Sequence, residues 1–112
     1  MATFVIDYFE LPVAEVGASE RFFHAAFGFG SKQYGPGYSE ITAAGVLGGI
    51  ASGESGTAPV VGIRTNDIGA AQRAIEAAGG TLRGPVVDYP GGQRFFFREP
   101  GGNELLVYCP SE

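Results

Sequence analysis

The chain has one cysteine and one histidine among its 112 residues, and its seven basic residues form no cluster. It also has no uninterrupted apolar run of membrane-spanning length. Each shortage removes a class of function. Without a basic patch there is no electrostatic footprint for a phosphate backbone or an anionic membrane, so neither nucleic acid nor membrane is an expected partner. A single Cys109 cannot close an internal disulfide. Set in an apolar terminal strand with no His partner in sight, it reads as an inert buried thiol, which fits a reducing cytoplasm. Met1-Ala-Thr-Phe-Val-Ile-Asp7 lacks a basic start and reads as a first strand rather than a secretion signal. The lone His24, between Phe23 and Ala25, reads as a helix-surface residue more readily than as an acid–base catalyst. Gly-Gly pairs at 48–49, 91–92 and 101–102 have no Lys-Ser/Thr after them and are strand-end turns rather than phosphate loops.

What is present suffices for one packed domain over residues 1–112. The chain is 45% hydrophobic with nine Phe and five Tyr, and its 19 glycines punctuate many short strands. Twelve acidic residues against seven basic give a net charge of −5. That balance suits a cationic small ligand but is also common in soluble proteins, so it discriminates little.

The local patterns have a definite order. A strand at 3–11 precedes a helix from about Glu15, with Val16, Phe23 and Phe27 on one stripe and Gly28 as its left-handed cap. Short strands follow at 30–34, 38–43 and 46–52, then a polar linker at 52–58. The second half repeats this: a strand at 59–65, a capping Asn66-Asp67, a helix with Ile68, Ala71, Ile75 and Ala78 inward, a Gly79-Gly80 stop, and strands at 81–88, 93–98 and 103–109. The last two are joined by the turn Pro100-Gly-Gly-Asn103. Val13 aligns with Thr65, Glu15 with Asp67, Ala18 with Ala70 and Gly28 with Gly80, all at one offset of 52 residues. A shared offset across strand, helix and cap predicts a duplicated βαβββ unit, with module 1 over about 1–54 and module 2 over about 57–112.

Tyr8-Phe-Glu-Leu-Pro-Val13, Arg21-Phe-Phe-His-Ala-Ala-Phe-Gly-Phe29, the Gly48-Gly49 strand, Val61-Gly-Ile-Arg-Thr-Asn-Asp67 and Glu99-Pro-Gly-Gly-Asn103 together resemble the vicinal oxygen chelate superfamily. That group includes glyoxalases, bleomycin-resistance proteins and extradiol dioxygenases. The resemblance implies an α+β fold in which two βαβββ modules form an open, barrel-like sheet around a central cleft, commonly completed by a second subunit as a homodimer. In metal-using relatives four ligands come from the first and last strands of the modules. Carried onto this chain, those positions fall on Tyr8, Val60, Leu106 and either Gly48 or Gly49. None is His, Glu or Asp, so no metal site and no cofactor are expected, unless a divalent metal occupies a non-standard site.

Strand alternation puts Glu10 with Tyr8, Arg64 with Val60, and Glu104 and Tyr108 with Leu106. Glu10 reads either as a general base or counter-ion in the cleft, or as half of a buried pair with Arg64 that fixes register. Glu104 reads as a cleft carboxylate or as a strand-end residue turned to solvent. In Phe95-Phe-Phe97 either Phe96 or the outer pair enters the cleft; the expectation adopted is Phe95 and Phe97. The expected ligand-binding set is therefore Tyr8, Glu10, Tyr38, Val60, Arg64, Phe95, Phe97, Leu106 and Tyr108, with Glu10 as the catalytic candidate. Two functions follow: a metal-free small-molecule binder of the bleomycin-resistance kind, taking a flat or cationic organic ligand, or a metal-dependent lyase, isomerase or dioxygenase with an unusual site built around Glu10.

Overall fold

The computed structural model describes residues 1–53 and 58–111, so the middle of the expected 52–58 linker lies outside the described residues. The chain divides into two compact units, Tyr8–Val60 and a second made of Met1–Asp7 with Val61–Glu112. They are called here the N-terminal and C-terminal units. No helix among the described residues is long and apolar enough to cross a membrane.

The N-terminal unit holds most of β1 (Phe4–Val13), then α1 (Val16–Phe27), β2 (Gly30–Gln33), β3 (Tyr38–Thr42) and β4 (Leu47–Ser52). β2, β3 and β4 form an antiparallel meander, and β4 returns parallel to β1 with Glu10 opposite Gly49. That is the βαβββ order the repeat predicts. α1 ends on Gly28 at φ 75°, where the Gly28 N–H reaches the His24 carbonyl and the Phe29 N–H that of Phe23. A left-handed residue here favours glycine, which has no Cβ to strain. Val16 of α1 and the sheet residues Ile41 and Ile50 form the buried cluster, with Phe9, Leu11, Val13, Phe23 and Phe29 packed around them. Phe27, expected on the inner stripe, is instead 61% exposed. Its angle matches Phe23, but it lies in the last turn, and its ring rests on Phe22 and Phe29 rather than on the sheet.

In the C-terminal unit β5 (Val60–Thr65) leads into α2 (Ile68–Ala77), capped by the Asp67 carboxylate accepting from the Ala70 N–H at 3.0 Å. Asn66, read as part of that cap, instead holds the N-terminus: its side chain accepts from Thr3 N–H and donates to the Met1 carbonyl. The single strand expected at 81–88 is two, β6 (Thr81–Leu82) and β7 (Val87–Tyr89). Both pair antiparallel with β8 (Gly92–Arg98). Gly84 at φ 106° and Pro85, which has no N–H to donate, break the ladder between them. β9 (Glu104–Pro110) pairs antiparallel with β8 and parallel with β5, with Leu106 opposite Gly62. The β8–β9 turn is closed by Glu99, whose carboxylate accepts from the N–H of Gly101 and Asn103 and from the Asn103 side chain. Those donors hold its pKa below the usual carboxylate range, the Gly101 N–H contributing most.

Phe95 and Phe97 sit in the buried cluster beneath α2 with Ala71 and Val107, against Ile63, Ile75 and Leu105. Phe95 and Phe97, expected to line the ligand site, thus pack beneath the helix, and Phe96, opposite Leu106, faces the other way. Strand parity allows either set to turn inward, and the three apolar partners Ile63, Leu105 and Val107 settle which does.

Candidate functional site

In the N-terminal unit the face of β1 turned away from α1 carries Tyr8 and Glu10, two positions apart. The Tyr8 hydroxyl donates to Glu10 Oε1 at 2.9 Å and lies 2.8 Å from the hydroxyl of Tyr38 on β3. A phenol has one proton to donate, and Tyr8 spends its proton on Glu10, so the direction of the chain is fixed: Tyr38 donates to Tyr8, and Tyr8 to Glu10. Glu10 is 9% exposed, so this carboxylate receives the Tyr8 hydrogen bond in a largely dry setting. Burial first, and then the neighbouring Glu10 charge, pushes the Tyr8 phenol far above its ordinary value, so it serves as a neutral donor and not as a phenolate.

The chain of phenols has its place because β4 has none of its own side chain there. Gly49 lies opposite Glu10, and a Cβ on it would overlap the hydroxyls of both Tyr8 and Tyr38. Gly48 faces the helix side, where a Cβ would enter the Phe9 ring. Register also resolves which glycine matches Leu106: Gly49 is opposite Glu10 as Leu106 is opposite Gly62, and Glu10 and Gly62 share the 52-residue offset.

The C-terminal unit has its own polar face, opposite α2. Arg64 on β5, Tyr108 on β9 and Arg94 on β8 lie side by side across three strands. The Tyr108 hydroxyl donates to Asp7, and Arg64 Nη1 lies 3.9 Å from the same carboxylate. The Arg94 guanidinium stands 5.5 Å from the centre of the Phe96 ring and 5.9 Å from that of Tyr89. Burial, and then the bond to Asp7, raises the Tyr108 phenol well above its ordinary value.

Of the expected set, Tyr8, Glu10 and Tyr38 are thus brought together in one unit, and Arg64 and Tyr108 in the other. Leu106 is buried on the same face as Tyr108, and Val60 is half-buried at the start of β5. Glu104 turns outward to Arg83 at 3.6 Å, both side chains being over 40% exposed. His24 is exposed, its Nδ1 3.2 Å from the Phe29 carbonyl. Asp7, Tyr89 and Arg94 were missed. For Asp7 the reason is parity: the reading followed the even positions Tyr8 and Glu10. Arg94 was legible, since it must share a face with Phe96.

The four positions that correspond to metal ligands in metal-using relatives do not suit a divalent cation. Tyr8 is a neutral phenol, Gly49 has no side chain, and Val60 and Leu106 offer no donor atom. Among the described residues no three His, Cys, Asp or Glu are placed to hold a metal ion.

Alkaline titration tests the phenol assignments. A raised folded-state pKa keeps the proton on the native protein after the unfolded chain has lost it. The associated stability is therefore intact below the ordinary tyrosine value of 10.0 and drains away above it. Of the five tyrosines, Tyr8 and Tyr108 should ionise last in ultraviolet difference spectra, and Tyr8→Phe should remove one late-titrating phenol. Five phenols titrating together in the folded protein would refute the burial of both.

The sequence has no significant match among curated proteins. Solved structures do match, at identities that speak to the fold alone. Methylmalonyl-CoA epimerase from Mycobacterium tuberculosis superposes with a TM-score of 0.74 at 14% identity, covering 96% of this chain and 88% of its own. A glyoxalase/bleomycin resistance protein/dioxygenase superfamily member from Vibrio splendidus 12B01 gives 0.68 at 18%, covering 99% and 100%. The Mn(II)-bound glyoxalase from Novosphingobium aromaticivorans gives 0.64 at 17%, covering 95% of this chain and 38% of that longer one. The family model described as Glyoxalase/Bleomycin resistance protein/Dioxygenase superfamily matches residues 5–107, and the chain belongs to that superfamily.

Proposed function

We propose that this protein holds a small organic ligand without the metal ion used by many of its superfamily, through the aromatic and polar side chains on its open sheet faces. The observation that carries the reading is the Tyr38–Tyr8–Glu10 chain over Gly49: two neutral phenols fill the space that a ligating side chain on β4 would need. A buried carboxylate with the Tyr8 donor already in place, itself backed by Tyr38, is a preorganised anchor for a ligand's polar group, while the rings supply contact area. The opposing reading, a metal-dependent lyase or dioxygenase, requires Glu10 to be a ligand in an unusual site.

Metal analysis separates the two. After growth with zinc, nickel, manganese and iron supplied, purified protein and its Glu10→Gln variant should both carry far less than one metal per chain. Near-stoichiometric metal in the native protein that disappears in Glu10→Gln would overturn the metal-free reading.

A further inference from the structure

Beside the Tyr38–Tyr8–Glu10 chain, the turn between β3 and β4 encloses an open hollow of about 340 Å3. Its wall includes Glu40 and Thr42 from β3, Ala44 and Val46 from the turn, and Leu47 from β4. Two left-handed residues, Ala43 at φ 59° and Gly45 at φ 101°, carry the chain around it. Register puts this hollow next to the phenols: Leu47 stands opposite Tyr8, and Glu40 opposite Gly49. Residues directly opposite in a ladder share a face, so Glu40 and Leu47 belong to the same sheet face as Tyr8 and Glu10.

Glu40 is the one charged residue in the wall, and it is half-buried. Its neighbour across the β2–β3 ladder is Lys32, yet no ion pair joins the two. The Lys32 ammonium is drawn instead over the Tyr34 ring, 5.2 Å from its centre. Among the described residues Glu40 takes part in no ion pair and no side-chain hydrogen bond. A carboxylate taken partly out of water without a partner is poorly compensated, and a cation with N–H donors is its best complement. The turn at residues 43–46 makes no backbone hydrogen bond among the described residues, so its carbonyl oxygens can accept further donors from such a cation. Val46 and Leu47, 56% and 44% exposed, supply apolar contact beside them.

Resting on the small-molecule reading above, we propose that the ligand is an organic ammonium whose N–H groups go to Glu40 and the turn carbonyls, while a compact apolar body lies against Val46 and Leu47. A single ring fits, since a cavity of roughly 150 Å3 is enough for benzene. Lys32 then acts as a resident competitor. Its charge, one strand away from Glu40, weakens the attraction that Glu40 exerts on an incoming cation.

Heteronuclear NMR titration with three matched probes, benzylammonium, benzyl alcohol and benzoate, tests both levels of the claim. Benzylammonium should bind best, shift the amide signals of residues 42–47 and lose affinity with added salt. Glu40→Gln should weaken benzylammonium by about tenfold, as expected for loss of one charge-assisted hydrogen bond, and leave benzyl alcohol unchanged. Lys32→Gln should tighten benzylammonium, a gain that a purely structural role for Lys32 would not produce. Val46→Ser should weaken benzylammonium and benzyl alcohol by the same factor, because both rest their ring on that side chain. Glu40→Gln is the decisive variant, since it keeps the shape of a half-buried side chain and changes only its charge. Equal or better binding of the alcohol or the benzoate, shifts confined to other strands, or benzylammonium affinity unmoved by Glu40→Gln would overturn the ammonium proposal and leave the binding role standing. No binding by any probe at millimolar concentration would overturn the proposal together with the reading on which it rests.

Discussion

Phe95→Ala should destabilise the protein by about 3–5 kcal/mol, the usual cost of emptying a fully enclosed phenylalanine site. Phe95 is 0% exposed and lies among Ala71, Phe97 and Val107 beneath α2, so neither solvent nor a flexible neighbour can fill the space. With typical domain stabilities of about 5–15 kcal/mol, such a loss brings the chain close to unfolding at room temperature. Phe96→Ala should cost well under half as much, because that ring is only partly buried and stands on the opposite face with Arg94. Chemical denaturation of the two variants reads the difference directly. Similar losses, or the larger one at Phe96, would mean that strand β8 presents its other face to the helix.

The same three phenylalanines mark where the sequence stops being sufficient. Strand, helix and cap positions were legible because each rests on local chemistry: Gly28 for a left-handed end, Asp67 for a helix start, β-branched and aromatic runs for β1 and β5. The duplication was legible because one offset tied these signals together. The broken strand β6/β7 could have been read from Gly84-Pro85, a pair that seldom continues a ladder. Which face of Phe95-Phe96-Phe97 turns to the helix is another matter. Alternation is symmetric under inversion of the strand, and only the tertiary partners Ile63, Leu105 and Val107 break the tie. The same limit applies to the site. Tyr8 and Glu10 on one face follow from parity, and Tyr38 was named as a lining residue. That its hydroxyl meets that of Tyr8 depends on β1 and β3 both flanking β4, a pairing no local signal encodes. Asp7 was lost for a related reason. Its role comes from Tyr108, more than a hundred residues away.

Gly49 is where fold and chemistry depend on one another most closely, and Gly49→Ala should cost about 2–4 kcal/mol, combining overpacking with damage to a buried hydrogen-bond chain. The added methyl would overlap the hydroxyls of Tyr8 and Tyr38, so one or both rings must swing away and the hydrogen bond from Tyr8 to the buried Glu10 is weakened or lost. Ordinary glycine-to-alanine changes in strands are neutral or stabilising, since alanine lowers the entropy of the unfolded chain, so the sign alone is informative. A second signature follows in the titration. Tyr8 displaced toward water should ionise closer to its ordinary value, and the late phase assigned to it should move to lower pH. Combining Gly49→Ala with Tyr8→Phe removes one of the two hydroxyls that the methyl strikes. The double variant should therefore be less destabilised than the sum of the two single changes, the mark of two groups contending for one space. Stability within about 0.5 kcal/mol of the parent for Gly49→Ala, the range of an unconstrained surface change, would show that β4 has room for a side chain there. It would also remove the main support for a metal-free site, because a donor at that position could then be accommodated beside the phenols.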